Sequence, residues 1–227
     1  SEMGMNVKGF VMASSGPEAL GWFKEPIKNM DDFRKYRFRT PPGIPGQTYK
    51  DIGIASVSLS GGDILPALEK GTIDAAEWCC PKPDSVFGFQ KVLKNYYLQG
   101  LHQNVVNGDI YINGDVYNSL TDHQKYAMEV ASEAMITRNI TNRAVENGKA
   151  LIDLTENHGV KLWDTPADYF TEYMNAAQAT LKKNAASNAF FKEVYEHMTA
   201  HAKIVVPFIA QMETSDASIG TAFASQQ

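Results

Sequence analysis

Short apolar runs broken by turn residues fill the first two-fifths of the chain. Residues 7–13, 36–40 and 54–59 read as strands. Helix starts fall between them, at Asn29-Met30-Asp31-Asp32 and after the turn Pro41-Pro42-Gly43-Ile44-Pro45-Gly46. This alternation predicts α/β units around a mostly parallel sheet. Gly61-Gly62 opens a further short helix with Asp63 capping its start, and Gly71 closes it. A brief strand then delivers Glu77 and Trp78 side by side. Residues 105–113 form another strand with polar positions interleaved. Beyond it the pattern changes, and no proline occurs between Pro83 and Pro166. Thr121 and Gln124 make a capping box, and the helix they open runs to about His158-Gly159. Ala127, Val130, Ala131, Ala134, Val145 and Ile152 mark its expected packing face. A short strand over 160–163 precedes a helix start at Pro166. Two helices, roughly 166–183 and 188–212, complete the pattern, and the small polar residues 215–227 read as a mobile tail.

Composition narrows the function. The 227 residues suffice for one or two domains, with 44% hydrophobic and 21% charged positions. A net charge of −5 argues against a nucleic-acid binder. No apolar run approaches the roughly 18 residues of a membrane span. The two cysteines, Cys79 and Cys80, are adjacent. A bridge between neighbours is strained and two ligands are too few for structural zinc, so they read as small residues in a packed turn. No phosphate-binding loop, nucleophile elbow or zinc-protease motif is present.

Two places carry candidate chemistry. Arg39 ends the strand Tyr36-Arg37-Phe38-Arg39-Thr40, where alternation puts Arg37 and Arg39 on one face. Ligands of open α/β sheets sit beyond the carboxyl ends of the strands, and a guanidinium there holds a carboxylate through two parallel bonds. The plain alternative is a surface arginine paired with a nearby acid. Glu77 offers oxygen to a hard cation and Trp78 an apolar wall with one donor, against an exposed glutamate beside a core tryptophan. His197 and His201, four apart, lack a third ligand and read as solvated. The sequon Asn139-Ile140-Thr141 falls inside the long helix and reads as chance.

The segments Gly21-Trp22-Phe23, Tyr36-Arg37-Phe38-Arg39, Gly61-Gly62-Asp63-Ile64-Leu65-Pro66-Ala67-Leu68-Glu69-Lys70-Gly71 and Thr72-Ile73-Asp74-Ala75-Ala76-Glu77-Trp78 are, in order and spacing, similar to the solute receptors of tripartite ATP-independent periplasmic (TRAP) transporters. The resemblance runs from about Val7 to the final helices. It implies a periplasmic receptor of two α/β lobes, with mixed, mostly parallel sheets and long C-terminal helices. Such a receptor binds a small organic acid and passes it to a membrane permease; it is not an enzyme. Glu77-Trp78 and Tyr96-Tyr97 are most similar to receptors for 2-oxo and 2-hydroxy monocarboxylates such as pyruvate or lactate. In that family Arg39 would clamp the carboxylate, while Glu77 and the Trp78 carbonyl would help hold a bridging sodium or calcium ion. Glu18 stands where relatives carry a metal-ligating glutamine, and Gln103 where they carry a substrate-contacting glutamate. That exchange shifts a carboxylate toward the metal and favours calcium.

The implied organisation is 1–35 as the remainder of lobe I and crossover, 36–112 as mainly lobe II, 113–185 as a hinge-spanning helix with lobe I helices, and 186–227 as a C-terminal helix and tail. Measured against the family, the opening part of the first lobe and the leader peptide are expected to be missing. Phe190, Phe191, Val194, Tyr195, Met198, Ile204, Val205 and Phe208 suggest a homodimer through the C-terminal helices. Three other readings remain open: an α/β enzyme acting on a 2-oxoacid with a metal at Glu77, a C4-dicarboxylate receptor, and a sensor subunit of the same fold.

Overall fold

The computed structural model describes residues 4–224. Its first half contains strands β1 (Val7–Ser15) and β2 (Gly21–Phe23), helix α1 (Met30–Phe33), β3 (Arg37–Thr40), α2 (Ile44–Asp51), β4 (Ala55–Ser58), α3 (Gly61–Glu69), β5 (Ala75–Ala76) and α4 (Pro81–Phe87). The second half holds β6 (Asn95–Tyr97), β7 (Val106–Asn113), α5 (Gly114–Ser119), α6 (Asp122–Asn157), β8 (Lys161–Trp163), α7 (Ala167–Ser187) and α8 (Ala189–Ala224). The contacts divide the chain into two compact units, 1–176 and 177–227, with α7 running across the division.

In the first unit a six-stranded sheet has the order β4-β3-β5-β2-β6-β8. β3 pairs in parallel with both β4 and β5, and β6 with β8, while β2 runs antiparallel to β5 and β6. Parallel ladders therefore predominate in this sheet. β1 and β7 form a separate antiparallel ribbon with a bulge between Val11 and Ala13, and α6 packs along it.

Aromatic residues explain why β2 lies inside the sheet. Trp22 stacks on Tyr96 with ring centroids 4.0 Å apart, and Phe23 stacks on Phe38 at 5.7 Å; all four are fully buried. Gly21 begins β2 at φ +134°, a conformation unfavourable for other residues, and a Cβ there would lie 2.6 Å from the Ala76 carbonyl oxygen. The β2–β5 ladder can therefore close only over a glycine.

Four sequence expectations change. Asp63 does not cap α3: Ser60 is the N-cap residue, and its hydroxyl donates to Asp63 Oδ2 at 2.5 Å from the first turn. Gly71 follows the helix at φ +67°, as its C-terminal position requires. On α6 the expected apolar face is exposed, including Val130, Val145 and Ile152. The buried stripe runs instead through Ser132, half-buried Asn139, Arg143 and Asn147, then Ala150 and Leu154; Arg143 reaches the sulfurs of Cys79 and Cys80, and Asn147 accepts from the Lys82 N–H. Gly21–Phe23 and Asn95–Tyr97 add strands too short for an alternating pattern to reveal. Finally, α8 continues to Ala224 beyond the expected stop at 212. No proline follows Pro207, and each Ser, Thr or Asp costs a helix less than about 0.7 kcal/mol. Residues 225–227 of the expected tail lie outside the described residues.

Candidate functional site

Adjacent parallel strands place the two central side chains. Arg39 on β3 lies opposite Ala76 on β5, and Glu77 follows at once with its N–H donating to the Arg39 carbonyl at 3.3 Å. Arg37, one pleat earlier on the same face, sits exposed at the rim and forks onto Asp74 at 2.8 Å. Arg39 is buried. Its Nη1 donates to Glu77 Oε1 at 2.5 Å and to the Glu77 carbonyl at 2.8 Å. Its Nε and Nη2 both reach the Leu59 carbonyl, at 3.1 and 3.0 Å. These bonds use four of the five N–H groups of a guanidinium. The plain readings of both residues give way: Arg39 is not a surface arginine and Glu77 is fully buried.

The Trp78 indole lies across the guanidinium, 5.0 Å from ring centroid to Cζ, with Phe87 at its edge. Gly61 makes room for it, since a Cβ there would approach Trp78 Cη2 to 2.9 Å. The Trp22 indole N–H and the Tyr96 hydroxyl donate to Asp84 Oδ2, and the main-chain N–H groups of Cys79 and Cys80 donate to Oδ1. Asp84 thereby fixes the turn that follows Trp78. Burial pushes its pKa up to about 7 against the pull of these donors.

Two loops complete the site. Glu18, between β1 and β2, donates its N–H to the Gln103 carbonyl at 3.0 Å, and Ala19 donates to the Cys79 carbonyl at 2.8 Å. Glu18, Arg39, Pro41, Trp78, Cys79 and Gln103 then line one cavity of about 300 Å³. The structure thus brings together Arg39, Trp78, Gln103 and Glu18, with Glu77 beneath them.

Sequence reasoning missed His102. Its fully buried ring sits between the carboxylates, with Nε2 3.4 Å from Glu77 Oε2 and 3.6 Å from Glu18 Oε2. Burial works to lower its pKa, but the two carboxylates outweigh burial and push it up to about 9. Its only sequence signal was position, next to Gln103. His197 and His201 are exposed on α8, and among the described residues they belong to no group of three possible ligands.

The donor set fits a hard cation. Ligand atoms of Glu18, Glu77 and His102 lie within 4.8 Å of one another. Glu18 Oε2 and Glu77 Oε2 are buried with no hydrogen-bond partner among the described residues. Buried carboxylate oxygens of this kind are what calcium or sodium uses, whereas imidazole nitrogen suits transition metals; a cation joining the two oxygens therefore displaces the proton that His102 holds between them.

Comparison with known proteins shows the family. The family of bacterial extracellular solute-binding proteins, family 7 (DctP), matches residues 2–188. A monocarboxylate 2-oxoacid-binding periplasmic protein of Nostoc sp. PCC 7120 is 35% identical over an alignment of 205 residues that covers 87% of this chain and 54% of that protein. This chain therefore spans about half the length of that curated relative. A TRAP transporter solute-binding protein of Bordetella bronchiseptica RB50, solved as a mixed-occupancy dimer with copurified calcium and picolinate, has TM-score 0.84 and 28% identity over 98% of this chain and 66% of that one. A TRAP solute-binding protein of Pseudoalteromonas atlantica T6c, solved with sodium and pyruvate, shares the fold at TM-score 0.76 and 23% identity, covering 91% of this chain and 64% of that one. The fold is therefore that of the two-lobed TRAP solute-binding proteins. With four-fifths of its length matched, the chain belongs to the family-7 bacterial extracellular solute-binding proteins.

Proposed function

We propose that this protein is the periplasmic receptor of a TRAP transporter, binding a small 2-oxo or 2-hydroxy monocarboxylate and delivering it to a membrane permease. One observation carries the reading: a buried Arg39–Glu77 pair beneath a cavity lined by Arg39, Glu18 and Trp78. The Nostoc relative, a monocarboxylate 2-oxoacid-binding protein, supports the ligand class, and the Bordetella relative, solved with calcium and picolinate, supports a carboxylate held together with a cation.

Each residue has a task in this reading. Glu18, Glu77 and the Trp78 carbonyl hold the cation, which supplies the positive charge that lets carboxylates face an anionic ligand. Arg39 is braced by Leu59 and Glu77 and presents its remaining Nη2 donor to the ligand carboxylate. When the cation takes up Glu77, an Nη1 donor is released to complete the fork. Trp78 covers the apolar part of the acid, and Gln103 offers an amide to its 2-oxo or 2-hydroxy oxygen. Closure of two lobes over the ligand is a population shift, driven by contacts that only the closed state makes.

Isothermal titration with pyruvate, lactate, a branched 2-oxoacid and succinate, each in calcium, sodium or chelator, tests the proposal. Cation-dependent micromolar binding of a monocarboxylate, on the order of −8 kcal/mol, is expected. Binding of succinate alone would move the ligand class to dicarboxylates. Absence of binding by every acid would overturn the assignment of Arg39.

A further inference from the structure

Cys79 lines the site cavity, yet the receptor reading gives neither thiol a task. Both cysteines are free, and their Sγ atoms lie 2.7 Å apart in the turn between β5 and α4. Arg143 reaches across from α6, with Nη2 2.7 Å from Cys80 Sγ and 3.2 Å from Cys79 Sγ. A cavity of about 620 Å³ opens onto half-buried Cys79, and another of about 430 Å³ onto buried Cys80, with Arg143 lining both. The positive charge beside the sulfurs disfavours a soft metal cation, while the cavities admit a small neutral or anionic molecule.

We propose that Cys79 and Cys80 form a redox-active vicinal pair, closing to a disulfide by exchange with a small organic disulfide and thereby weakening the neighbouring ligand site. The second half of this proposal rests on the receptor reading above. The exchange balances: Cys80 Sγ, the sulfur nearer Arg143, gives up its proton and attacks the disulfide RSSR from the cavity it lines, forming a mixed disulfide and releasing one RSH. Cys79 Sγ then displaces the second RSH and closes the ring. The two thiols lose two electrons and two protons, and RSSR gains both.

Ring geometry makes this bond reversible. Cα atoms of neighbours stand about 3.8 Å apart, below the roughly 4.4–6.8 Å that disulfides favour, and strained disulfides are the readily reduced, regulatory ones. The peptide linking the pair also carries two contacts that shape the site. Its carbonyl, on Cys79, accepts from Ala19 N, next to Glu18, and its N–H, on Cys80, is held by Asp84. Turning that peptide to close the ring disturbs both, and the first sets the position of a cation ligand.

The test equilibrates the purified protein with graded ratios of 2-hydroxyethyl disulfide and 2-mercaptoethanol, then alkylates it and measures its mass. The wild type is expected to lose two hydrogens and both alkylation sites together, reversibly with dithiothreitol. The variant C79S is expected to stop at a mixed disulfide on Cys80. Pyruvate titrations with calcium then compare the two forms, and the oxidised one is expected to bind about tenfold more weakly. Thiols that stay alkylatable at every ratio, a wild type that stops at the mixed disulfide, or equal affinity in both forms would each overturn the proposal. A reduced protein that binds no acid overturns the receptor reading and with it the coupling, whereas the mass measurement judges the disulfide independently.

Discussion

Arg39 is committed to the protein before any ligand arrives, and that commitment can be measured. Arg39→Met leaves the buried Glu77 carboxylate without its partner, and breaking a buried pair in this way costs about 3–5 kcal/mol. A cation at Glu77 replaces the missing charge. Urea unfolding of R39M is therefore expected to show the full loss in chelator and a smaller one in calcium; equal losses would remove Glu77 from the cation site. Arg39→Lys keeps the charge but not the fork, and should weaken acid binding about tenfold or more by titration. At this scale the sequence was informative wherever a residue sat inside a strand-end motif. Arg39, Glu77 and Trp78 could be named because a strand and its turn fix where each stands. His102 could not, because only loop closure brings it between Glu18 and Glu77.

The elements around the site are held together from their edges. Asp84 on α4 joins β2 through Trp22, β6 through Tyr96 and the turn after β5 through two main-chain donors. Its folded pKa of about 7 lies above the ordinary value of 3.8. Between those values the folded carboxyl keeps a proton that the unfolded chain releases, so this contribution is complete below pH 3.8 and lost as pH rises through 7. Asp84→Asn should flatten that part of the stability–pH curve, at a cost of about 1–3 kcal/mol for turning an amide N–H₂ toward donors. The loss from His102 lies higher, between 6.5 and about 9, and should survive the substitution. Two glycines make a paired test by thermal unfolding. Gly21→Ala places a Cβ 2.6 Å from the Ala76 oxygen at positive φ and should cost about 1–3 kcal/mol, whereas Gly62, with open space around its Cβ, should gain up to about 1 kcal/mol as alanine. Long elements were legible here and short ones were not. The capping box at Thr121 and Gln124 announced α6, but β2 and β6 exist only because Trp22, Tyr96 and Asp84 meet in three dimensions. The buried face of α6 was misread because hydrophobic periodicity is blind to a stripe carrying Asn139, Arg143 and Asn147.

For the molecule as a whole, α8 poses the largest question of assembly. It is 36 residues long, about 54 Å at 1.5 Å per residue. Phe190, Val194, Met198, Ile204, Phe208, Met212 and Ile219 are all exposed, and a period of 3.6 residues sets them along one stripe of the helix. An exposed apolar stripe of this length marks an interaction surface, and the expected homodimer through the C-terminal helices makes a second copy its occupant, with the same stripe on both sides. Sedimentation of the purified protein is therefore expected to give a dimer at micromolar concentration. Ile204→Glu with Phe208→Glu places two carboxylates of each copy in the apolar seam, where burying them without partners is far costlier than exposing them. That variant should sediment as a monomer while still binding the acid, because the proposed ligand contacts all come from residues 18–103 of the first unit. A variant that stays dimeric would show that another surface joins the copies. One that becomes monomeric and also loses the acid would show that assembly and capture are coupled, which the placement of the site residues argues against.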